Sequence, residues 1–147
     1  MLKSMVCWCV MTVSAFACLA DGRPGANEVS AGDRRAVRAV VEAQLKALAA
    51  EDSAQAFAYA SPAIQKQFRD AGAFMTMVRR AYPMVIRPVA TSFFAPEGSQ
   101  DVIIQGIQFR DREGKLWRAF YELQRQPDRS WRVNGCVVAP DGESSTT

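Results

Sequence analysis

An α+β fold is predicted, with N-terminal helices packed on a curved four-stranded antiparallel meander sheet. Three observations carry it. Apolar residues recur every three to four positions up to about Ala81. From Met84 onward they recur every second position. Between the later runs lie only short turn-forming stretches, Pro96–Ser99, Asp111–Gly114 and Pro127–Arg129, which force neighbouring strands to run antiparallel. A chain of 147 residues suits one such domain, expected over residues 30–140, with a disordered tail over 141–147.

Before the domain comes MLKSMVCWCVMTVSAFACLA. One cation, Lys3, precedes an apolar run from Met5 to Ala20, and small residues close it. That is the layout of a secretory signal, expected over residues 1–20 with cleavage after Ala20, or secondarily after Ala17. Two other readings stay open: an uncleaved anchor, and a lipoprotein built on Cys18, whose preceding residues make a poor lipobox. The expected location is periplasmic or secreted, with no membrane attachment after signal removal. A flexible Gly/Pro-containing linker is expected over residues 21–29. Cleavage removes Cys7, Cys9 and Cys18 and leaves Cys136 alone, so no intramolecular disulfide is expected.

The first helix, about Ala31 to Ala50, starts at the capping pair Ser30 and Asp33. Its stripe is Val37, Val40, Val41, Leu45 and Leu48. Asp52 can cap a second helix carrying Ala54, Phe57 and Ala58. Ser61–Pro62 opens a third, with Ile64 and Phe68 facing in and Gly72 as its end. The fourth, Ala73 to Ala81, turns Phe74, Met77 and Val78 inward and stops before Pro83.

The first strand is expected over Val85–Phe94, bulged or at an edge because of Pro88. The others are expected over Asp101–Arg110, Lys115–Arg125 and Trp131–Val138. Alternation puts Trp117, Ala119, Tyr121 and Leu123 on one face, with Trp131, Val133, Gly135 and Val137. Pairing Leu123 with Val133 sets Tyr121 beside Gly135. The opposite face carries Arg118, Phe120, Glu122, Arg132, Asn134, Cys136 and Val138.

Helices followed by a curved sheet ending in a W-x-V strand resemble the cone-shaped nuclear-transport-factor-two-like (cystatin-like) fold. FAYASPAIQKQF (57–68), AFMTMVRRAYPMVIRP (73–88) and LWRAFYELQRQPDRSWRVNG (116–135) resemble a family of bacterial exported proteins, domain of unknown function 4864. The resemblance implies the fold and the export, and no catalytic residues.

Composition excludes several chemistries. Histidine is absent, which removes Ser-His-Asp and Cys-His catalysis, imidazole-bound zinc and the usual general base near neutral pH. No metal cluster, phosphate loop or nucleophile elbow appears, and no cofactor is expected. The formal charge is +3, with 14 arginines against four lysines and no cationic run longer than two, so no nucleic-acid footprint is present.

Two candidate sites remain. Tyr59, Trp117 and Tyr121 are polar-tipped aromatics facing a pocket between helices and sheet. Arg79, Arg80, Tyr82 and Arg87, at the helix–sheet junction, form a candidate rim for an anionic ligand, although adjacent Arg79 and Arg80 cannot both point inward. Both arginines also suit the carbonyl end of a helix. On the outer face Arg118, Phe120, Glu122, Arg132, Cys136 and Val138 are candidates for a homodimer or envelope-partner interface. Glu122 is expected to pair with Arg118 or Arg132. It is out of phase with Tyr121, which argues against a pocket acid. The favoured function is non-catalytic binding of a small anionic or apolar ligand. The alternatives are an interaction module and, less favoured, an isomerase or hydrolase.

Overall fold

The structure is a computed structural model and describes residues 28–142. The signal segment, its cysteines, most of the expected linker and residues 143–147 lie outside the described residues.

Among the described residues four α-helices precede the sheet: α1 (Ala31–Ala49), α2 (Ser53–Ala58), α3 (Pro62–Gln67) and α4 (Ala71–Ala81). Each starts on a side chain that accepts a free backbone N–H of the first turn: Ser30 from Asp33, Asp52 from Gln55, Ser61 from Ile64 and Asp70 from Ala73. Gly72 therefore does not end α3. It lies inside the first turn of α4, because the Asp70 carboxylate starts that helix earlier than expected. Tyr82 caps α4, and Pro83 opens a 3-10 turn, Pro83–Val85, not a strand.

The first strand is correspondingly shorter than expected. β1 spans Ala90–Phe93, so Pro88 stands before the sheet and removes no ladder hydrogen bond. The expected turn at Pro96–Ser99 contains a short fifth strand, β2 (Glu97–Gly98), paired with β3 (Val102–Arg110). Gly98 carries φ 143° there, where an added Cβ would sit 2.3 Å from the Val102 carbonyl oxygen. β4 (Leu116–Arg125) and β5 (Trp131–Pro140) follow, giving the order β1-β3-β4-β5 with every pair antiparallel. The fold is α+β, with a five-stranded sheet that is not closed.

The core lies between the helices and one sheet face. Val37 and Val41 of α1, Ile103 of β3, and Ala119 and Leu123 of β4 are wholly buried there. Val29 is also buried, tying the approach to α1 into this core. Removing one Leu-sized side chain from water contributes about 2 kcal/mol. The N-terminus of α1 is fastened to the β4–β5 hairpin through Asp33, which accepts from Arg125 (2.6 Å) and from the Trp131 indole (3.2 Å).

One irregularity decides which residues face the helices. Leu123 pairs with Val133, as the alternation predicts, but Glu122 pairs with Gly135. Asn134 is thus an extra residue on β5, a β-bulge. It is held on both sides: Ser61 Oγ donates to its side-chain carbonyl, and its amide donates to Glu122, both at 2.8 Å. The bulge shifts the phase of everything after it by one residue. Tyr121 consequently faces Cys136, not Gly135. Cys136 and Val138 turn to the helix side and pack on the core, while Val137, expected inside, is 67% exposed.

Candidate functional site

A cavity of about 380 Å³ opens between α3, α4 and the β4–β5 side of the sheet. α4 contributes Phe74, Met77 and Val78, the three- and four-residue stripe of one helix face. α3 contributes Ile64 and Gln67, and Phe68 follows it. From the sheet come Tyr121, Val133 and Cys136. Gln44 and Leu48 of α1 complete the lining. None of the 15 lining residues carries a formal charge.

The walls stay apart because their connections are pinned elsewhere. Ser61 N–H donates to the Val133 carbonyl, and Val133 N–H donates to Tyr59, so the α2–α3 link runs as a short parallel bridge along the edge of β5. Gln65 Nε2 donates to the carbonyls of Phe57 and Ala60 and closes the same corner. These bonds satisfy an otherwise open strand edge. They also fix α3 against β5 by its N-terminus, leaving its far end, Gln67 and Phe68, over the cavity.

The polar groups at the cavity are neutral donors and acceptors. Tyr121 and Cys136 are direct partners across the β4–β5 pair, and both line the cavity. Burial pushes the Tyr121 hydroxyl well above its usual 10, and the adjacent thiol adds to the rise. Burial likewise pushes Cys136 up to about 12, against a smaller opposing effect of the neighbouring Tyr121 hydroxyl. Both therefore keep their protons at neutral pH, and the thiol is not a nucleophile there. Gln44 spends its amide on the Ala56 carbonyl (3.1 Å) and keeps its own carbonyl oxygen.

The residues singled out by sequence divide sharply. Tyr121 and Tyr82 line the cavity, and Cys136, assigned to the other face, joins them because of the bulge. Tyr59 does not line it: as the C-cap of α2 it offers its backbone carbonyl to β5. Trp117 lies elsewhere on the same sheet face, its indole donating to Asp111 (2.8 Å) with Lys115 over its ring. The arginines do not form a rim. Arg79 and Arg87 converge on Glu51, at 2.9 and 3.5 Å, and Arg87 Nε donates to the Ala49 carbonyl at the end of α1. They neutralise and cap a helix C-terminus, which holds α4 and the 3-10 turn against α1. Arg80 is exposed and does not line the cavity.

On the outer face the expected Glu122 ion pairs are absent among the described residues. Glu122 accepts from Asn134, Arg118 pairs with Asp141 (2.9 Å), and Arg132 reaches past the β5 edge to the Ala58 carbonyl. Sequence reasoning missed Gln44, Met77 and Val133 as cavity residues. Their only signal was membership of an apolar or buried stripe, which packed core shares. Among the described residues no helix is long and apolar enough to cross a membrane, and no cluster of three or more Cys, Asp or Glu could hold a metal.

No curated protein matches the chain. A family model described as Domain of unknown function (DUF4864) matches residues 30–146, which include every helix and strand described above, and the chain belongs to that family.

Proposed function

We propose that this is an exported, non-catalytic domain that binds a small, mainly apolar, uncharged ligand in the cavity between α3, α4 and the β4–β5 hairpin. The observation that carries the reading is the combination of an open volume of about 380 Å³ with a lining that holds no charged side chain. Cavities of this size and lining are typical of small-molecule sites. An anionic head there would be desolvated with no cation to meet it. A hydroxyl or carbonyl on the ligand could instead meet Tyr121, Cys136 or the Gln44 carbonyl oxygen. Two protonated groups, Tyr121 and Cys136, supply no base for isomerase or hydrolase chemistry at neutral pH.

A cone-shaped, nuclear-transport-factor-two-like arrangement is part of the same proposal. It is supported by helices that cover one face of an open sheet and leave a cavity at one end. Export is proposed from the charged-then-apolar pattern of residues 1–20.

The test is competition. N-phenyl-1-naphthylamine, a neutral fluorophore, is expected to brighten on binding and to be displaced by decanol far better than by decanoate. Met77→Trp, which fills the cavity from α4, is expected to abolish the signal while the protein stays folded. Equal or stronger displacement by decanoate would overturn the reading.

A further inference from the structure

We propose that the outer face of the sheet is the interface of a homodimer, with a second copy docked about a two-fold axis that runs along a single cross-strand row. The row starts at Phe94, which follows β1, and crosses Gly106 of β3, Phe120 of β4 and Val137 of β5. Its three side chains are 43%, 45% and 67% exposed, the apolar centre of a face that has no helix over it among the described residues. Gly106 is what lets the two rings lie down on the sheet. A Cβ at that position would come within 3.1 Å of the Phe94 ring and 3.6 Å of the Phe120 ring.

The charges around the row identify the occupant. Arg118 and Glu122 stand on the same face of β4, two residues to either side of Phe120, about 7 Å away along the strand. Rotation by 180° about the row exchanges these two positions. It places Arg118 of one copy over Glu122 of the other, twice, and Phe120 over Phe120. A two-fold axis along the strands would instead oppose Arg118 to Arg118. The face is therefore self-complementary about one axis, which is what an interface between identical chains requires. Both charges keep spare capacity: Arg118 meets Asp141 through Nη2, and Glu122 meets Asn134 through Oε1. The inference is independent of the cavity, which lies on the other face of the sheet.

The test is sedimentation of the purified domain over a concentration series, with near-ultraviolet circular dichroism as the check on folding. The wild type is expected to dimerise. Phe120→Arg and Val137→Lys, both at exposed positions, are each expected to give a folded monomer. Arg118→Glu and Glu122→Arg are each expected to weaken the dimer by about tenfold or more, and their combination to recover most of that loss. A monomeric wild type would overturn the proposal, as would one that purifies with a different chain shielding Phe120. A charge-swapped double variant no tighter than either single one would also overturn it.

Discussion

The space between the helices and the sheet has two ends that are built differently. Around α1, Val37, Val41, Ile103, Ile107 and Leu123 are at most 1% exposed, and Asp33, Arg125 and Trp131 lock the layer from outside. Around α3 and α4 the same layer holds a cavity of about 380 Å³. The difference follows from helix length. α1 has 19 residues and can lay a continuous stripe on the sheet, whereas α3 has six and is anchored mainly through Ser61. The sealed core and the proposed binding cavity thus lie at opposite ends of one layer, and each end is expected to be alterable with limited effect on the other.

The largest effect is expected at the closed end. Leu123→Ala should cost about 3 kcal/mol in urea unfolding, because the site is sealed and cannot collapse. Met77→Ala, on the cavity wall and partly exposed, should cost less than about 1.5 kcal/mol, since part of its surface already lacks packing partners. Similar costs for the two would mean that the two ends are equally well packed.

Ser61→Ala comes next, at about 1–2 kcal/mol, because it removes both the α3 cap and the donor to Asn134. It should also loosen the bulge. Faster hydrogen exchange at the Val133 and Ser61 amides is the accompanying measurement.

A smaller, pH-dependent effect belongs to Asp33. Burial opposes its ionisation, but hydrogen bonds from Ser30 and Trp131 and the charge of Arg125 outweigh it, and its pKa falls below 3.8. A carboxyl with a lowered folded-state pKa stabilises above its unfolded value and loses that contribution as pH drops through the folded one. Stability should therefore decline below pH 3.8 more steeply in the wild type than in Asp33→Asn. Parallel pH profiles would count against the lock at the α1 end.

Smallest of all is the expected effect of pH on ligand affinity. Tyr121 and Cys136 both titrate well above neutrality, so their protonation leaves decanol binding flat from about pH 5 to 8.

The closed end was largely legible in the sequence and the open end was not. Ser30, Asp52 and Ser61 are local signals whose meaning depends on the next three residues, and each caps as expected. Trp117, Ala119, Tyr121 and Leu123 share a face because β4 has no bulge of its own. The Asn134 bulge depends on Ser61, 73 positions earlier, and no pattern within β5 announces it. That single insertion moved Cys136 and Val138 from the outer face to the inner one. Arg79 and Arg87 misled for a similar reason: their partner Glu51 sits at φ 57° just past α1 and meets them only through tertiary packing. Asp70, three residues before Ala73, reads as a turn or cap residue and does cap α4, although that helix starts at Ala71 and not at Ala73. An unfilled volume depends on the sizes and distances of walls from five elements, and periodicity carries no measure of it.

Ligand binding is proposed to be confined to the open, uncharged end. Methyl NMR of the folded domain titrated with decanol tests it directly. Saturable shifts are expected at Met77, Val78, Ile64 and Val133, with Val41, Ile103 and Ile107 unmoved. Absence of shifts at the first group, or equal shifts in the second, would contradict it.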